Sequence, residues 1–186
     1  MFKKIILLLM IAFSFSFGVE ESKIKSIMEE KTALITSILK KNSLSKQQKE
    51  DKIVKIVEEL FSYNTMAMIS LGKRWKELSK QKRHKFVEVF SKKLQQSYFD
   101  KLELYTDQKI VIANPTKVNA KRIALKSDII SKDETYEVVY KFYKSKGDHW
   151  LIYDVNLAGV SIIQSYRKQF DDYLKTKSLD QLIQSL

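Results

Sequence analysis

The amino-acid sequence predicts an α+β fold in which several helices precede an antiparallel sheet and one more helix follows it. Apolar residues in the first half recur at the spacing of one helix face, whereas the second half alternates strand-like runs with short polar turns. Near the C-terminus the pattern changes from strand period to helix period at a single glycine, Gly159. Helices grouped before strands are typical of α+β folds and not of alternating α/β folds.

Four helices are predicted in the first half. The apolar face of the first contains Ile24, Ile27, Met28, Leu34, Ile35 and Ile38. Ser45 and Gln48 form a capping box that opens the second helix. Asn64 is expected to cap a short third helix that runs to Gly72, and Ser79 to cap a long fourth helix. The apolar positions of the fourth helix are Phe86, Phe90, Leu94, Tyr98, Leu102 and Tyr105.

Three strands are predicted in the second half, at residues 120–130, 135–144 and 149–157. Short polar segments join them, so an antiparallel meander is expected. A weaker strand at residues 110–113 is expected to pair at one edge of this sheet.

The segment 150–170 combines the last strand with the closing helix. Its strand is apolar on both faces, so each face must be covered. Gly159 supplies a sharp turn, and Ser161 with Gln164 has the spacing of a capping box. The apolar face of the helix that follows contains Ile162, Ile163, Tyr166, Phe170, Tyr173 and Leu174.

The first 18 residues have the features of a secretory signal peptide. Lys3 and Lys4 precede a short apolar stretch, and Ser16 to Gly18 offers small residues at a cleavage position. The alternative is an N-terminal membrane anchor, but the apolar stretch is short for a span of about 20 residues. Residues 19–186 are then expected to form a single domain, since no Pro/Gly/Ser-rich linker interrupts them. The chain contains no cysteine, which excludes a lipid-anchored cysteine, disulfides and thiolate metal sites.

The chain is strongly basic, with a formal net charge of +12. Such a charge raises nucleic acid as a partner, but the predicted export argues against it, and no nucleic acid is expected. The densest basic run extends from Lys73 to Lys85. It is either a solvated helix surface or a surface attracted to anionic lipid headgroups, and the two interpretations are compatible.

Catalytic chemistry has few candidate residues. The two histidines, His84 and His149, lie in a basic helix and beside a turn, where partly exposed histidines are common. The sequence contains no nucleophile elbow, no zinc-protease helix motif and no glycine-rich phosphate loop. An enzyme is therefore not expected, and neither a cofactor nor a metal ion is implied.

Two motifs resemble a known family. The segment 150–170 has the form W-x-x-Y-D-V-x-x-x-G-V-S-x-x-x-x-Y-R-x-Q-F, and upstream lie Leu71-Gly72-x-x-Trp75 and Gln81-x-Arg83-x-x-Phe86-x-x-x-Phe90. In order and spacing these are similar to the toluene-tolerance, or Mla-type, family of periplasmic phospholipid-binding proteins. The resemblance implies a curved, nuclear-transport-factor-like sheet wrapped by helices around an apolar cavity. One departure is Ala158, where many relatives carry an acidic residue before the glycine.

A candidate pocket follows from the apolar faces together with this resemblance. The residues alone favour an ordinary packed core, whereas the resemblance favours a cavity that holds acyl chains. The expected pocket residues are Tyr136, Val138, Tyr140, Phe142, Phe90, Leu94, Tyr98, Val160 and Ile163. Arg83, which matches the Gln-x-Arg motif, is expected either near the mouth of the pocket or as an ordinary surface arginine.

The resemblance implies a periplasmic shuttle that binds one phospholipid at a time. Its partners would be an outer-membrane lipoprotein or porin complex and an inner-membrane Mla-type ABC transporter that together maintain outer-membrane lipid asymmetry. The main alternative is an exported structural or adaptor domain whose interior is simply packed.

Overall fold

The computed structural model describes residues 18–102, 107–132 and 134–186. The predicted signal segment lies outside these ranges except for Gly18, and so does Tyr105. Within them, no helix combines the length and the apolar character needed to cross a membrane.

Six α-helices are present in the described ranges. They are α1 (Ile24–Leu39), α2 (Lys46–Val57), α3 (Tyr63–Leu71), α4 (Lys80–Leu102), α5 (Ile162–Tyr173) and α6 (Leu179–Ser185). Short 3-10 turns lie at Glu21–Lys23, Gly72–Glu77 and Lys146–Asp148. The strands are β1 (Val19–Glu20), β2 (Lys109–Ile112), β3 (Thr116–Asn119), β4 (Arg122–Ile130), β5 (Thr135–Lys144), β6 (His149–Leu157) and β7 (Val160–Ser161).

The strands form one curled antiparallel sheet with the order β1-β6-β5-β4-β2. The central strands β4, β5 and β6 form the predicted meander, and β2 pairs with β4 at one edge as expected. Two further strands lie off this path, where β3 pairs with β4 and β7 pairs with β6. The α+β prediction is confirmed, including helices that flank a curved sheet.

The predicted helix caps are largely confirmed. Ser45 and Gln48 form a reciprocal capping box, and the Lys82 backbone N–H donates to Ser79 Oγ over 3.2 Å. The predicted start of α3 is wrong by two positions, because the helix begins at Tyr63 after the cap residue Ser62, and Asn64 lies inside it. Its start is fixed instead by backbone pairing with β6: the Ser62 N–H donates to the Ile152 carbonyl, and the Ile152 N–H to the Leu60 carbonyl.

Two hydrophobic clusters make up most of the interior. The first, here the sheet cluster, joins one face of the sheet to α1, and its most buried members are Ile24, Leu125, Phe142, Trp150 and Ile152. The second, here the helix cluster, joins α3, α4, α5 and α6 around Met66, Ala67, Phe86, Phe90, Leu94, Ile163 and Phe170. Phe61 and Ile162 pack against both clusters and connect them.

The carboxylate of Asp154 is the most heavily bonded buried polar group at the junction of sheet and helices. Its side chain is 6% exposed and lies 3.0 Å from Lys141 Nζ on the neighbouring strand. Ser161 Oγ donates to it over 2.8 Å, and the backbone N–H of Ile163 over 3.2 Å. Since Ile163 is in the first turn of α5, this one group joins β5, β6, β7 and that helix.

The β6–β7 hairpin turns through two residues with positive φ. Ala158 has φ of 47° and Gly159 has φ of 82°, between the paired residues Leu157 and Val160. Two positive φ values in a two-residue loop are the requirement of a type I′ turn, which favours Asn-Gly. Gly159 meets this requirement without strain, whereas the Cβ of Ala158 makes its conformation costly.

We predict that Ala158→Asn stabilises the fold. Asparagine tolerates the left-handed region better than alanine, so the free energy of unfolding should rise by about 0.5–1 kcal/mol. Urea unfolding of the variant and the parent chain measures this difference. Ala158→Val is the matched control and should lower stability, because a β-branched side chain disfavours positive φ. Equal stability of all three proteins would contradict the strain at this turn.

We also predict that Asp154→Ala lowers the free energy of unfolding by about 3 kcal/mol, because it breaks a buried ion pair and removes the carboxylate at the start of α5. The matched control is Glu137→Ala, which removes an exposed pair with Lys126 on the same sheet. That change should cost less than about 1 kcal/mol. Similar losses for the two variants, measured by urea unfolding, would show that the Asp154 bonds do not hold the junction.

Candidate functional site

The sheet contributes an apolar face along β5. Val138, Tyr140 and Phe142 pair across β4 with Ser127, Leu125 and Ile123, so these six side chains share one face of the sheet. Val138 and Phe142 are buried in the sheet cluster, at 6% and 0% exposed. Tyr140 packs against the same cluster but stays half-buried. The predicted burial of this face is thus present at Val138 and Phe142, whereas Tyr140 is half-buried and Tyr136, at the end of the same face, is 44% exposed.

The helices contribute a second set of predicted residues, in the helix cluster. Phe90, Leu94 and Ile163 are all 1% exposed or less. The Phe90 ring meets Tyr166 edge-on at a centroid distance of 5.1 Å and Phe170 at 5.6 Å. These aromatic contacts make a dense core. The structure therefore places the predicted residues in two neighbouring clusters, and not around one continuous surface.

Tyrosine side chains lie where the two clusters approach each other. Tyr63 on α3, Tyr98 on α4, Tyr140 on β5 and Tyr166 on α5 are all half-buried, and we call them the tyrosine cluster. Burial raises the pKa of Tyr63, of Tyr98 and of Tyr140 above the usual value for a phenol. The pKa of Tyr98 is raised further by Asp154 and by the other three tyrosines, which places these groups within electrostatic reach of it.

The Tyr98 hydroxyl has an unusual environment. It is buried from solvent, and no described residue accepts or donates a hydrogen bond to it. Buried hydroxyl groups are nearly always hydrogen-bonded, so the Tyr98 hydroxyl has a hydrogen-bonding capacity that the described protein atoms do not satisfy. The candidate site is therefore the region of the tyrosine cluster, between the two hydrophobic clusters.

Two other predicted residues lie at an open end of the sheet. Val160 is 60% exposed and Tyr136 is 44% exposed. The pairing of Val160 with Leu157, and of Leu157 with Val138, puts Val160 at the same end of the sheet as the start of β5. Ile130, at the end of β4, is also exposed there. This end thus presents apolar side chains to solvent beside the buried face of β5.

Arg83 lies near the N-terminal end of α4, at the opposite end of the helix from Tyr98. Its Nε donates to the Trp75 carbonyl over 3.1 Å, a terminal nitrogen donates to the Lys76 carbonyl over 3.4 Å, and its guanidinium lies over the Trp75 ring. At about 1.5 Å of rise per residue, the 15 residues to Tyr98 correspond to roughly 22 Å along the helix. The structure therefore brings Arg83 to the Gly72–Glu77 turn and away from the tyrosine cluster.

Tyr63 and Tyr166 were not among the predicted site residues. Tyr166 shares the apolar face of α5 with Ile163, so helical spacing could have included it. Tyr63 could not have been found this way, because the backbone pairing of residues 60–62 with β6 sets its position. A separate groove of about 410 Å³ between α1 and β2, lined by Glu29, Thr32, Ala33, Thr36 and Ile110–Ile112, contains none of the predicted residues.

Metal binding has no support in the part of the chain that the structure describes, where no group of three or more His, Asp or Glu side chains could hold an ion. His84 is exposed on α4. The chemistry that this site offers is apolar contact with a few phenol hydroxyl groups.

Comparison with known proteins identifies relatives of the chain. Residues 29–186 match the model of the family described as MlaC protein. The intermembrane phospholipid transport system binding protein MlaC of Haemophilus influenzae is 29% identical over 117 residues, which cover 61% of this chain and 55% of that protein. The match thus spans about half the length of that relative.

A solved structure shows the same fold. The phospholipid-binding protein from Ralstonia solanacearum, determined in complex with a phospholipid, superposes with a TM-score of 0.74 at 18% sequence identity. The superposition covers 89% of this chain and 94% of that one.

We predict that the chain loses stability as pH rises above about 10, because the raised pKa values of Tyr63, Tyr98 and Tyr140 keep them protonated in the fold while they ionise in the unfolded chain. Below about pH 10 these tyrosines are protonated in both the folded and the unfolded chain, and the stability that they contribute is fully present. Above pH 10, each tyrosine that ionises only in the unfolded chain should lower the free energy of unfolding by about 1.4 kcal/mol per pH unit. Urea unfolding between about pH 9 and about pH 11 measures the slope.

Tyr98→Phe should reduce this alkaline slope, since phenylalanine does not titrate. Near neutral pH the difference in the free energy of unfolding between the variant and the parent should not change with pH, because no tyrosine ionises there. An unchanged alkaline slope in the variant would mean that the Tyr98 hydroxyl is hydrated and not buried.

Proposed function

The chain belongs to the MlaC family, and we propose on that basis that it is a periplasmic phospholipid-binding shuttle. It takes up one phospholipid, encloses the acyl chains between its sheet and its helices, and delivers the lipid to a membrane complex. The relative in Haemophilus influenzae is a binding protein of an intermembrane phospholipid transport system, and we assign the same role to this chain.

The observation that carries the proposal is the tyrosine cluster between two separate hydrophobic clusters. Each buried methylene is worth about 0.8 kcal/mol, so roughly 30 methylenes of a phospholipid cost on the order of 25 kcal/mol in water. A carrier must therefore enclose nearly all of the acyl length. Half-buried aromatic side chains at the junction of sheet and helices supply rigid walls for such an enclosure.

The proposed pocket uses the residues expected from the sequence in different ways. Tyr98 and Tyr140 border the acyl chains directly, with Val138 and Phe142 behind them in the sheet wall. Phe90, Leu94 and Ile163 form the helical wall. Tyr136 and Val160 lie at the open end, where exposed apolar side chains suit the entry of a lipid.

The proposed partners are an inner-membrane Mla-type ABC transporter complex and an outer-membrane lipoprotein or porin complex, in a pathway that maintains outer-membrane lipid asymmetry. The exposed basic run from Lys73 to Lys85 is available for anionic surfaces, at about 1 kcal/mol per basic residue close to a membrane. Part of its charge is offset within the chain, since Arg74 pairs with Glu77 and Lys82 with Asp180. Binding and handover are the whole activity that we propose, with no catalytic step.

A second candidate function is an exported adaptor domain with a packed interior. It is favoured by the nearly complete burial of Phe90, Leu94, Phe142 and Ile163, which leaves no space at those side chains. The two functions differ in one measurable property, the presence of a bound lipid.

We predict that the purified chain carries a phospholipid, detected by extraction into organic solvent and mass spectrometry. Tyr140→Arg should lower the recovered lipid at least about tenfold, because a guanidinium placed among acyl chains is costly to bury. The matched control is Val118→Arg, which puts the same side chain at a 64% exposed position of β3 and should keep the lipid. Circular dichroism verifies that both variants are folded.

Two other outcomes would contradict, respectively, the lipid-binding function and the assignment of the pocket wall. Absence of phospholipid from the parent chain, also after incubation with phospholipid vesicles, would favour the adaptor. Full lipid recovery with Tyr140→Arg would show that the face of β5 is not the pocket wall.

A further inference from the structure

The Tyr98 hydroxyl differs from its neighbours in the tyrosine cluster because it alone is known to be both buried and without a hydrogen-bond partner in the described chain. The Tyr63 hydroxyl is hydrogen-bonded to the side chain of Gln95 on α4. The Tyr166 hydroxyl lies 3.5 Å from Ser97 Oγ. The unpaired Tyr98 hydroxyl therefore lies beside two phenols, those of Tyr63 and Tyr166, that have protein partners.

The carboxylate that acts electrostatically on Tyr98 already accepts three other hydrogen bonds. Asp154 accepts from Lys141, Ser161 and the Ile163 backbone N–H, which uses both of its oxygens. The unpaired Tyr98 hydroxyl therefore lies within electrostatic reach of a buried carboxylate, in a polar niche of an otherwise apolar interior.

The chemistry of this niche selects among the oxygens of a phospholipid. Burial keeps the Tyr98 phenol protonated, so it is a hydrogen-bond donor. A phosphate is disfavoured because Asp154 lies within electrostatic reach and Lys141, the cation of this junction, is paired with Asp154. An ester carbonyl is a neutral acceptor and lies where acyl chains meet the glycerol backbone, which matches a single donor at the border of apolar walls.

We propose that the Tyr98 hydroxyl donates a hydrogen bond to an acyl ester carbonyl of the bound glycerophospholipid and so fixes the depth of the lipid in the pocket. This inference rests on the proposed function, since it requires a lipid between the sheet and the helices. It adds a recognition element to a pocket that otherwise binds by apolar contact.

The test compares two lipids with the same headgroup and chain length, one with ester-linked chains and one with ether-linked chains that lack the carbonyl oxygens. Lipid-free chain and its Tyr98→Phe variant are titrated with each. The parent should bind the diester lipid about three- to tenfold more tightly than the diether lipid, the range expected for one hydrogen bond. Tyr98→Phe should lose this preference by weakening diester binding alone.

Tyr173→Phe is the matched control, because it removes a phenol hydroxyl outside the tyrosine cluster, whose neighbour is the Gln181 carbonyl. It should keep the preference for the diester lipid. Tyr98→Phe should also unfold at the same temperature as the parent or higher when lipid-free, since it removes a buried polar atom that has no partner. That measurement separates a lost contact from a damaged fold.

Three outcomes overturn the inference. Unchanged binding of both lipids by Tyr98→Phe would mean that the hydroxyl contacts only water or protein. Equal weakening of both lipids would place the contact on an oxygen that they share, such as the phosphate. If the folded parent chain binds neither lipid, the proposed function fails together with this inference, which distinguishes that failure from the first two.

Discussion

The buried carboxylate of Asp154 is the interaction on which the arrangement of sheet and helices depends. It accepts hydrogen bonds from Ser161 at the end of β7 and from the first turn of α5, while it pairs with Lys141 of β5. A buried charge is tolerated only where its partners are in place, so the position of α5 relative to β6 is restricted to one that satisfies this group. The residue is therefore a structural brace between the sheet and α5.

The position of α5 in turn separates the interior into two parts. The apolar face of α5 packs with α3, α4 and α6 into the helix cluster, while the strands and α1 form the sheet cluster. Among the residues that the structure describes, only Phe61 and Ile162 pack against both clusters. Each cluster has fully buried side chains of its own. Most of the dense packing therefore lies within a cluster and not between the two. The tyrosine cluster lies at their border, where half-buried side chains are expected.

The sequence was informative wherever a pattern was long enough to show a period. The strands at Arg122–Ile130, Thr135–Lys144 and His149–Leu157 each contain nine or ten residues, and their predicted bounds agree within two residues. β1 and β7 contain two residues each, too few for alternation to be seen, and both form only because β6 offers free backbone groups. The start of α3 was misplaced for a related reason, since Leu60 and Ser62 pair with β6 over a long sequence separation.

The candidate site was predictable in part for a physical reason that its residues illustrate. Spacing predicts which side chains are buried, and Val138, Phe142 and Phe90 are, whereas Tyr136 on the same face of β5 as Val138 is 44% exposed. Spacing does not predict whether the space between two buried faces is filled, because that depends on how closely the elements approach. Arg83 shows the same limit: its motif was visible, but its partners, two backbone carbonyl groups and the Trp75 ring, were not.

Under the proposed function the interior must be stable when empty and still able to accept a ligand, and the division into two clusters is compatible with both requirements. If the sheet and the helices formed one continuous core, their side chains would be packed together as densely as Phe90 and Phe170 are within the helix cluster. A lipid could then enter between the sheet and the helices only by breaking such contacts. With two clusters that share few side chains, acyl chains can replace the contacts at the border and leave both cores intact. The aromatic rings of the border present apolar surface when the pocket is empty, and in the proposed complex they contact the acyl chains.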